Sequence, residues 1–349
     1  MRMVSWISVC LLSFSIGFCE EEVPKTADPN ASEMTRKIVS YFHELTQRSE
    51  KKLLSGQFLG WYPNVTMQPV EEIFQTSGKH VAIIGIDYYE TILDAATLTE
   101  PVKEKPPRWR ELNPLIKEYW KAGGLTTLSI HMTNPWTGGK AWDEPGRWED
   151  LDDPQTPAGK AYRQQWKMIA DGLEDLQKEG VVILFRPFHE LDYAFWWRGL
   201  PPERIQKLWR EMFHYLTQER QLHNLVWVYN GGRLRYPGNA YVDLNSSDYY
   251  AKTPTVAKAQ YEALLSTGKP FAIGEFGPPG AWNDNTSPRN YDYSKFAEET
   301  LRAGSGIVYF LAWRDSWGMH RNPGVKELLN DPRVVNREDL QKELFSKEK

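Results

Sequence analysis

Val181-Val182-Ile183-Leu184-Phe185-Arg186-Pro187-Phe188-His189-Glu190 opens with five apolar residues and closes on Arg, His and Glu. An unbroken apolar run that begins β-branched reads as a strand buried on both faces, as parallel sheets require. The continuation Leu191-Asp192-Tyr193-Ala194-Phe195-Trp196-Trp197-Arg198-Gly199 is crowded with aromatic rings. In a parallel β/α fold the reacting groups stand at the C-terminal ends of strands. A carboxyl beside a wall of rings suits sugar chemistry. Rings stack on the C–H faces of pyranoses, and apolar surroundings raise a carboxyl pKa enough to keep a general acid protonated. The bland reading of the same residues is a structural ion pair between Glu190 and Arg186.

Working outward, strand-like and helix-like segments alternate along the chain. Eight strands are predicted, at about 52–57, 81–86, 125–131, 181–188, 225–230, 241–248, 271–276 and 306–313. Amphipathic stretches lie between them, after a first helix from Ser32 to Arg48 with Ser32 as N-cap. Eight strands with intervening helices predict an α/β fold of the (β/α)8 TIM-barrel type in one domain, residues 33–349. Residues 20–32 read as a flexible leader. No Gly-rich phosphate or dinucleotide loop follows any strand.

Composition narrows the function. The 349 residues carry a net charge of -4 without a basic tract, which argues against nucleic acid as a partner. Aromatics make up 13%, with 15 Trp, and several stand in Gly-, Pro- and Asn-rich loops where core packing explains them poorly. Residues 1–19 have the order of a secretory signal: Arg2, an apolar run, then Gly17-Phe18-Cys19 before cleavage. A secreted protein with no membrane attachment after signal removal is expected, and a monomer. Both cysteines, Cys10 and Cys19, lie in this segment, so the mature chain has no disulfide. Asn30, Asn64, Asn245 and Asn285 sit in Asn-x-Ser/Thr sequons.

A second strand ends on an acid: Pro270-Phe271-Ala272-Ile273-Gly274-Glu275-Phe276-Gly277. The fourth and seventh strands of a closed barrel face each other across its mouth, so Glu190 and Glu275 reach one sugar. Glycoside hydrolysis needs such a pair, one to protonate the leaving oxygen and one to attack carbon or activate water. For Glu275 the bland reading is again a buried partner for Arg186. No cofactor is called for, and no metal: His131, His189 and Asp248 form the one grouping worth weighing, with hydrogen-bonding roles preferred. A Gly-x-Ser-x-Gly elbow is absent. The loop from His131 through Trp136, Trp142 and Trp148 is long for a compact domain, which marks it as functional.

Phe185-Arg186-Pro187-Phe188-His189-Glu190, Phe195-Trp196-Trp197 and Gly274-Glu275-Phe276-Gly277 resemble glycoside hydrolase family 26, best known for endo-β-1,4-mannanases on a (β/α)8 barrel. The resemblance runs from about Leu54 to Arg314, and His-Glu at the fourth strand is fairly specific, since related barrel families usually carry Asn-Glu there. It implies retaining double displacement, with Glu190 as acid/base and Glu275 as nucleophile. It further implies that His189 orients groups beside the acid/base and that Tyr250 hydrogen-bonds the nucleophile. His131 and Trp313 would contact the sugar at the −1 subsite, and Arg314 the next one out. Trp148, or else Trp142, would supply an aromatic from the third loop; Phe195 and Trp196 would add contacts. Phe195 stands where some mannanases have Trp, so the leaving-group side is altered.

The resulting expectation is a secreted endo-β-1,4-mannanase acting on β-mannan or a related plant-type polysaccharide. Alternatives are a β-1,3-1,4-glucanase or β-1,3-xylanase with the same mechanism, and a non-catalytic carbohydrate-binding protein on the hydrolase fold. The presence of both glutamates argues against the last.

Overall fold

Each expected strand is present, and the eight close on one another. The computed structural model describes residues 25–61, 64–88, 109–254, 258–279, 289–304 and 306–346. The barrel strands are β1 (Gly56–Trp61), β2 (Ile83–Asp87), β3 (Leu125–Ser129), β4 (Ile183–Arg186), β5 (Leu225–Asn230), β6 (Leu244–Tyr250), β7 (Phe271–Gly277) and β8 (Ile307–Ala312). Every neighbouring pair is parallel, and Gln57 opposite Ala312 joins β1 to β8. Gln57 seals that seam from inside: its side-chain amide donates to the Phe58 and Trp313 carbonyls at 2.9 Å and accepts from the Met319 N–H. Just upstream, Leu53–Leu54 pairs with Val334–Val335, a short extension that the sequence pattern does not reveal.

Alternation along the strands separates two apolar layers. In β4 and β5, Leu184, Val226 and Val228 join the cluster that includes Tyr309 and Leu311. Phe185, Trp227 and Tyr229 belong to the cluster that includes the helix residues Trp209 and Phe213. Helix α1 (Glu33–Gln47) adds Ile38 and Phe42 to the first layer, Phe42 lying 6.1 Å from the Tyr309 ring. Its N-cap is Ser32, whose hydroxyl accepts the Thr35 N–H as expected. Packing extends upstream of the boundary expected at residue 33: Ala27 and Asp28 are buried, so part of the expected leader is held. The expected signal segment lies outside the described residues.

Two boundaries move for identifiable reasons. The ladder of β4 ends at Arg186, because Pro187 has no N–H to donate. Strand β6 starts at Leu244 and not at Tyr241, because Asn239–Tyr241 forms a 3-10 turn and the Asp243 carboxylate takes the Trp227 N–H. Of the sequons, Asn245 is fully buried in β6 with its amide bonded to Thr267, so it offers no site for a glycan on the folded chain. Asn285 lies outside the described residues.

Candidate active site

The C-terminal ends of β3, β4, β6, β7 and β8 meet in a cleft of about 660 Å³. Glu190 and Glu275 both line it, as do His131, His189, Phe195, Tyr250, Trp313 and Arg314. The sequence-based set is therefore brought together, with two exceptions. Trp196 is fully buried, its ring against Trp136 and Trp197 and its N–H on the Met132 carbonyl, so it supports the wall and cannot touch a sugar. Trp148 starts a 3-10 turn and lies under the Arg204 guanidinium, 5.1 Å from its ring centroid. The third-loop ring at the cleft is Trp142, half exposed and 5.5 Å from the His131 ring.

A buried network holds the carboxylates. Arg186, at the end of β4, donates to Asp248 at 2.8 Å and to Glu275 at 2.5 Å. The other Glu275 oxygen accepts from the Tyr250 hydroxyl at 2.7 Å. Close approach requires glycine here: a Cβ on Gly274 would sit 2.6 Å from Asp248 Oδ1, and one on Gly277 2.4 Å from the Tyr250 ring. Trp313 walls the Glu275 side, stacked on Phe58 at 4.1 Å and edge-on to Tyr250.

Glu190 sits on a turn, not on the strand itself. Its φ of 50° is unusual for a residue with a Cβ. The conformation is fixed from β5, where Asn230 Oδ1 accepts the Glu190 N–H at 2.7 Å. The same Asn230 donates to Asp248 at 2.7 Å and to Ser246 at 3.0 Å, so one side chain sets both the acid's backbone and the acidic network beneath it. The sequence shows Asn230 as the last residue of a strand, a weak signal for this role.

Electrostatics divide the pair. Burial, reinforced by the charges of Glu275 and Asp248, raises the Glu190 pKa to about 9. Glu275 is paired with a guanidinium and a phenol, and its Arg186 contact is charge-assisted. Glu190 is thereby held protonated, as a general acid must be. One oxygen from each of Glu190, Asp248 and Glu275 lies within 4.8 Å of the others.

The histidines form a second group. Asp87, at the end of β2, takes the His131 backbone N–H at 3.0 Å and faces its Nδ1 at 2.8 Å, and also accepts from Ser129. His189 is fully buried, and burial together with the Arg186 charge lowers its pKa well below the usual value, so it is neutral. Neither of its ring nitrogens has a hydrogen-bond partner among the described residues. The metal grouping weighed from sequence is thus split: His131 and His189 cluster with Asp87, and Asp248 with the two glutamates. Asp87 is already committed to His131 and Ser129, and Arg186 already supplies the cation between Asp248 and Glu275. Tyr193, from the aromatic run after Glu190, also lines the cleft, as do Asp315 and Trp317, which no sequence signal marks.

With this geometry in hand, comparisons with known proteins point one way. The model of glycosyl hydrolase family 26 matches residues 27–339. Mannan endo-1,4-beta-mannosidase A and B of Caldalkalibacillus mannanilyticus is 32% identical over 336 residues, 90% of this chain and 63% of that protein, so the chain spans under two thirds of this relative. Mannan endo-1,4-beta-mannosidase of Bacillus subtilis strain 168 is 30% identical over 340 residues, covering 92% of this chain and 90% of the relative. A solved structure of a Bacillus subtilis mannanase superposes with a TM-score of 0.79 at 31% identity, over 90% of this chain and 96% of that one.

Proposed function

The chain belongs to glycosyl hydrolase family 26, and from that premise we propose that it is an endo-β-1,4-mannanase working by retaining double displacement. The observation that carries the mechanism is the close approach of Glu190 and Glu275, with carboxylate oxygens within 4.8 Å. Retaining glycosidases hold the two groups about 5–5.5 Å apart, whereas inverting ones need roughly 6.5–9.5 Å to admit a water.

In the first step Glu275 attacks the anomeric carbon while Glu190 gives its proton to the glycosidic oxygen. The bond breaks, the leaving chain departs with that proton, and an ester joins sugar to Glu275. Esterification removes the Glu275 charge, which is the second-largest cause of the raised Glu190 pKa. Glu190 therefore becomes a better carboxylate when it must serve as base. It takes a proton from water, the oxygen attacks the same carbon, and Glu275 is released. Arg186 and Tyr250 keep Glu275 aimed. His131, anchored by Asp87, and Trp313 supply the contacts to the sugar between the two glutamates.

Mannan as substrate is supported by the names of the relatives above, and export by the charged, apolar and small-residue order of residues 1–19. The test is reducing-end release from linear β-1,4-mannan, mixed-linked β-glucan and β-1,3-xylan. Release from mannan, reduced about 10²–10⁴-fold in Glu190→Gln and at least as far in Glu275→Gln with the fold intact, is the expected result. Release from glucan or xylan alone would overturn the substrate and keep the chemistry.

A further inference from the structure

The mechanism above leaves the most exposed ring of the cleft without a task. Tyr193 lines it and is 54% exposed, whereas Phe195 and Trp313 are 2% and 7% exposed. Phe195 is wedged among His131, His189 and Trp197 at 4.7, 4.8 and 4.9 Å, so its face is not free for a sugar. Tyr193 is different: its ring is open, but its backbone is locked. Its N–H donates to the Glu190 carbonyl at 3.1 Å, as does that of Ala194 at 3.0 Å. The adjoining Asp192 accepts the Gly232 N–H and pairs with Arg235 at 3.4 Å. Arg235 in turn donates to the carbonyls of Leu200 and Arg198, which lie just past the aromatic run. The turn from Glu190 to Phe195, with positive φ at both ends, is thus tied to the loop after β5. An aromatic face held rigid in an open cleft binds with little entropy to lose.

Tyr193 lines the cleft three residues after Glu190, on the same turn. The group that protonates the leaving oxygen and the exposed ring beside it are therefore one unit. We propose that Tyr193 forms the leaving-group platform of this site: its ring carries the sugar immediately beyond the cleaved bond. It is a specificity residue on the side where the face of Phe195 is covered. This inference rests on the retaining mannanase reading above.

Two variants test the platform. Tyr193→Ala removes the platform, so kcat/KM on mannohexaose should fall roughly tenfold relative to kcat/KM on 2,4-dinitrophenyl β-mannobioside. That aryl group leaves without protonation and occupies no sugar subsite. Tyr193→Phe keeps the ring, so its ratio of kcat/KM on the two substrates should match that of the wild type. An equal loss on both substrates in Tyr193→Ala, or the same selective loss in Tyr193→Phe, would overturn the proposal. Wild-type protein inert toward both substrates would instead remove the mannanase reading, and this inference with it.

Discussion

Arg186 shows how much of the site depends on one side chain. It is fully buried and bridges Asp248 and Glu275, at 2.8 and 2.5 Å. Desolvation of the acids is the cost of this arrangement, and Asp248 remains raised to about 7 even with Arg186 beside it. Arg186→Met would strand two buried carboxyls, a loss of about 3–5 kcal/mol. The pH dependence follows from the sign of the shift. A carboxyl whose folded pKa lies above its unfolded value contributes stability at low pH and loses it as pH rises through the folded pKa. Without the guanidinium Asp248 shifts further up. The deficit of Arg186→Met should therefore be small near pH 5 and large near pH 8, measured by urea denaturation at the two pH values. A deficit of the same size at both would mean that lost packing, not uncompensated charge, is responsible.

The third loop shows why some site residues were legible in the sequence and others were not. Glu190 and Glu275 declare themselves because each ends a short apolar strand, and a barrel points such residues inward. Trp142 and Trp148 are equivalent to a reader of the sequence, both being loop tryptophans. What separates them is Asn134, whose buried amide donates to the carbonyls of Asp143 and Glu144 and accepts the N–H groups of Trp136 and Thr137. The backbone N–H of Trp196 then pins the Ala141 carbonyl at 2.8 Å, which turns Trp142 to the cleft. Trp196 misleads for a related reason. Phe195 adopts a positive φ, so the next ring is sent into the core and not into the groove. Asp87 escapes a sequence reading because an acid closing Gly85-Ile86-Asp87 has no local partner; His131 reaches it from the neighbouring strand. Trp142→Ala should raise KM for mannan by two- to about tenfold, in line with about 0.5–1.5 kcal/mol for an aromatic contact, with kcat little changed. Trp148→Ala is the matched control, and an equal effect there would place the sugar path along the outer turn.

The barrel as a whole also depends on residues that a reader would trim. Eight strands were countable because each is a short apolar run between amphipathic stretches, but the start of the packed chain was not, since Ala27-Asp28-Pro29-Asn30 looks like a leader by composition. In the folded chain the Ala27 N–H donates to buried Asp243 at 2.6 Å, and Asp28 meets His223 at 2.7 Å. Ser32 caps α1, which contributes Ile38 and Phe42 to the layer that contains Tyr309. Asp243 bridges this segment to β5 through the Trp227 N–H, so the N-terminal residues clasp the start of the β5 and β6 strands. A chain that begins at Glu33 loses the cap, about 1 kcal/mol, and leaves a buried acceptor short of a donor, about 1–3 kcal/mol. Denaturant titration of the two chains side by side should therefore find it about 2–4 kcal/mol less stable than a chain that begins at Lys25. The cleft lies at the opposite ends of these strands, so the fraction that remains folded should turn over mannan at the same kcat. Equal stability of the two chains would show that the segment rests on the barrel without supporting it.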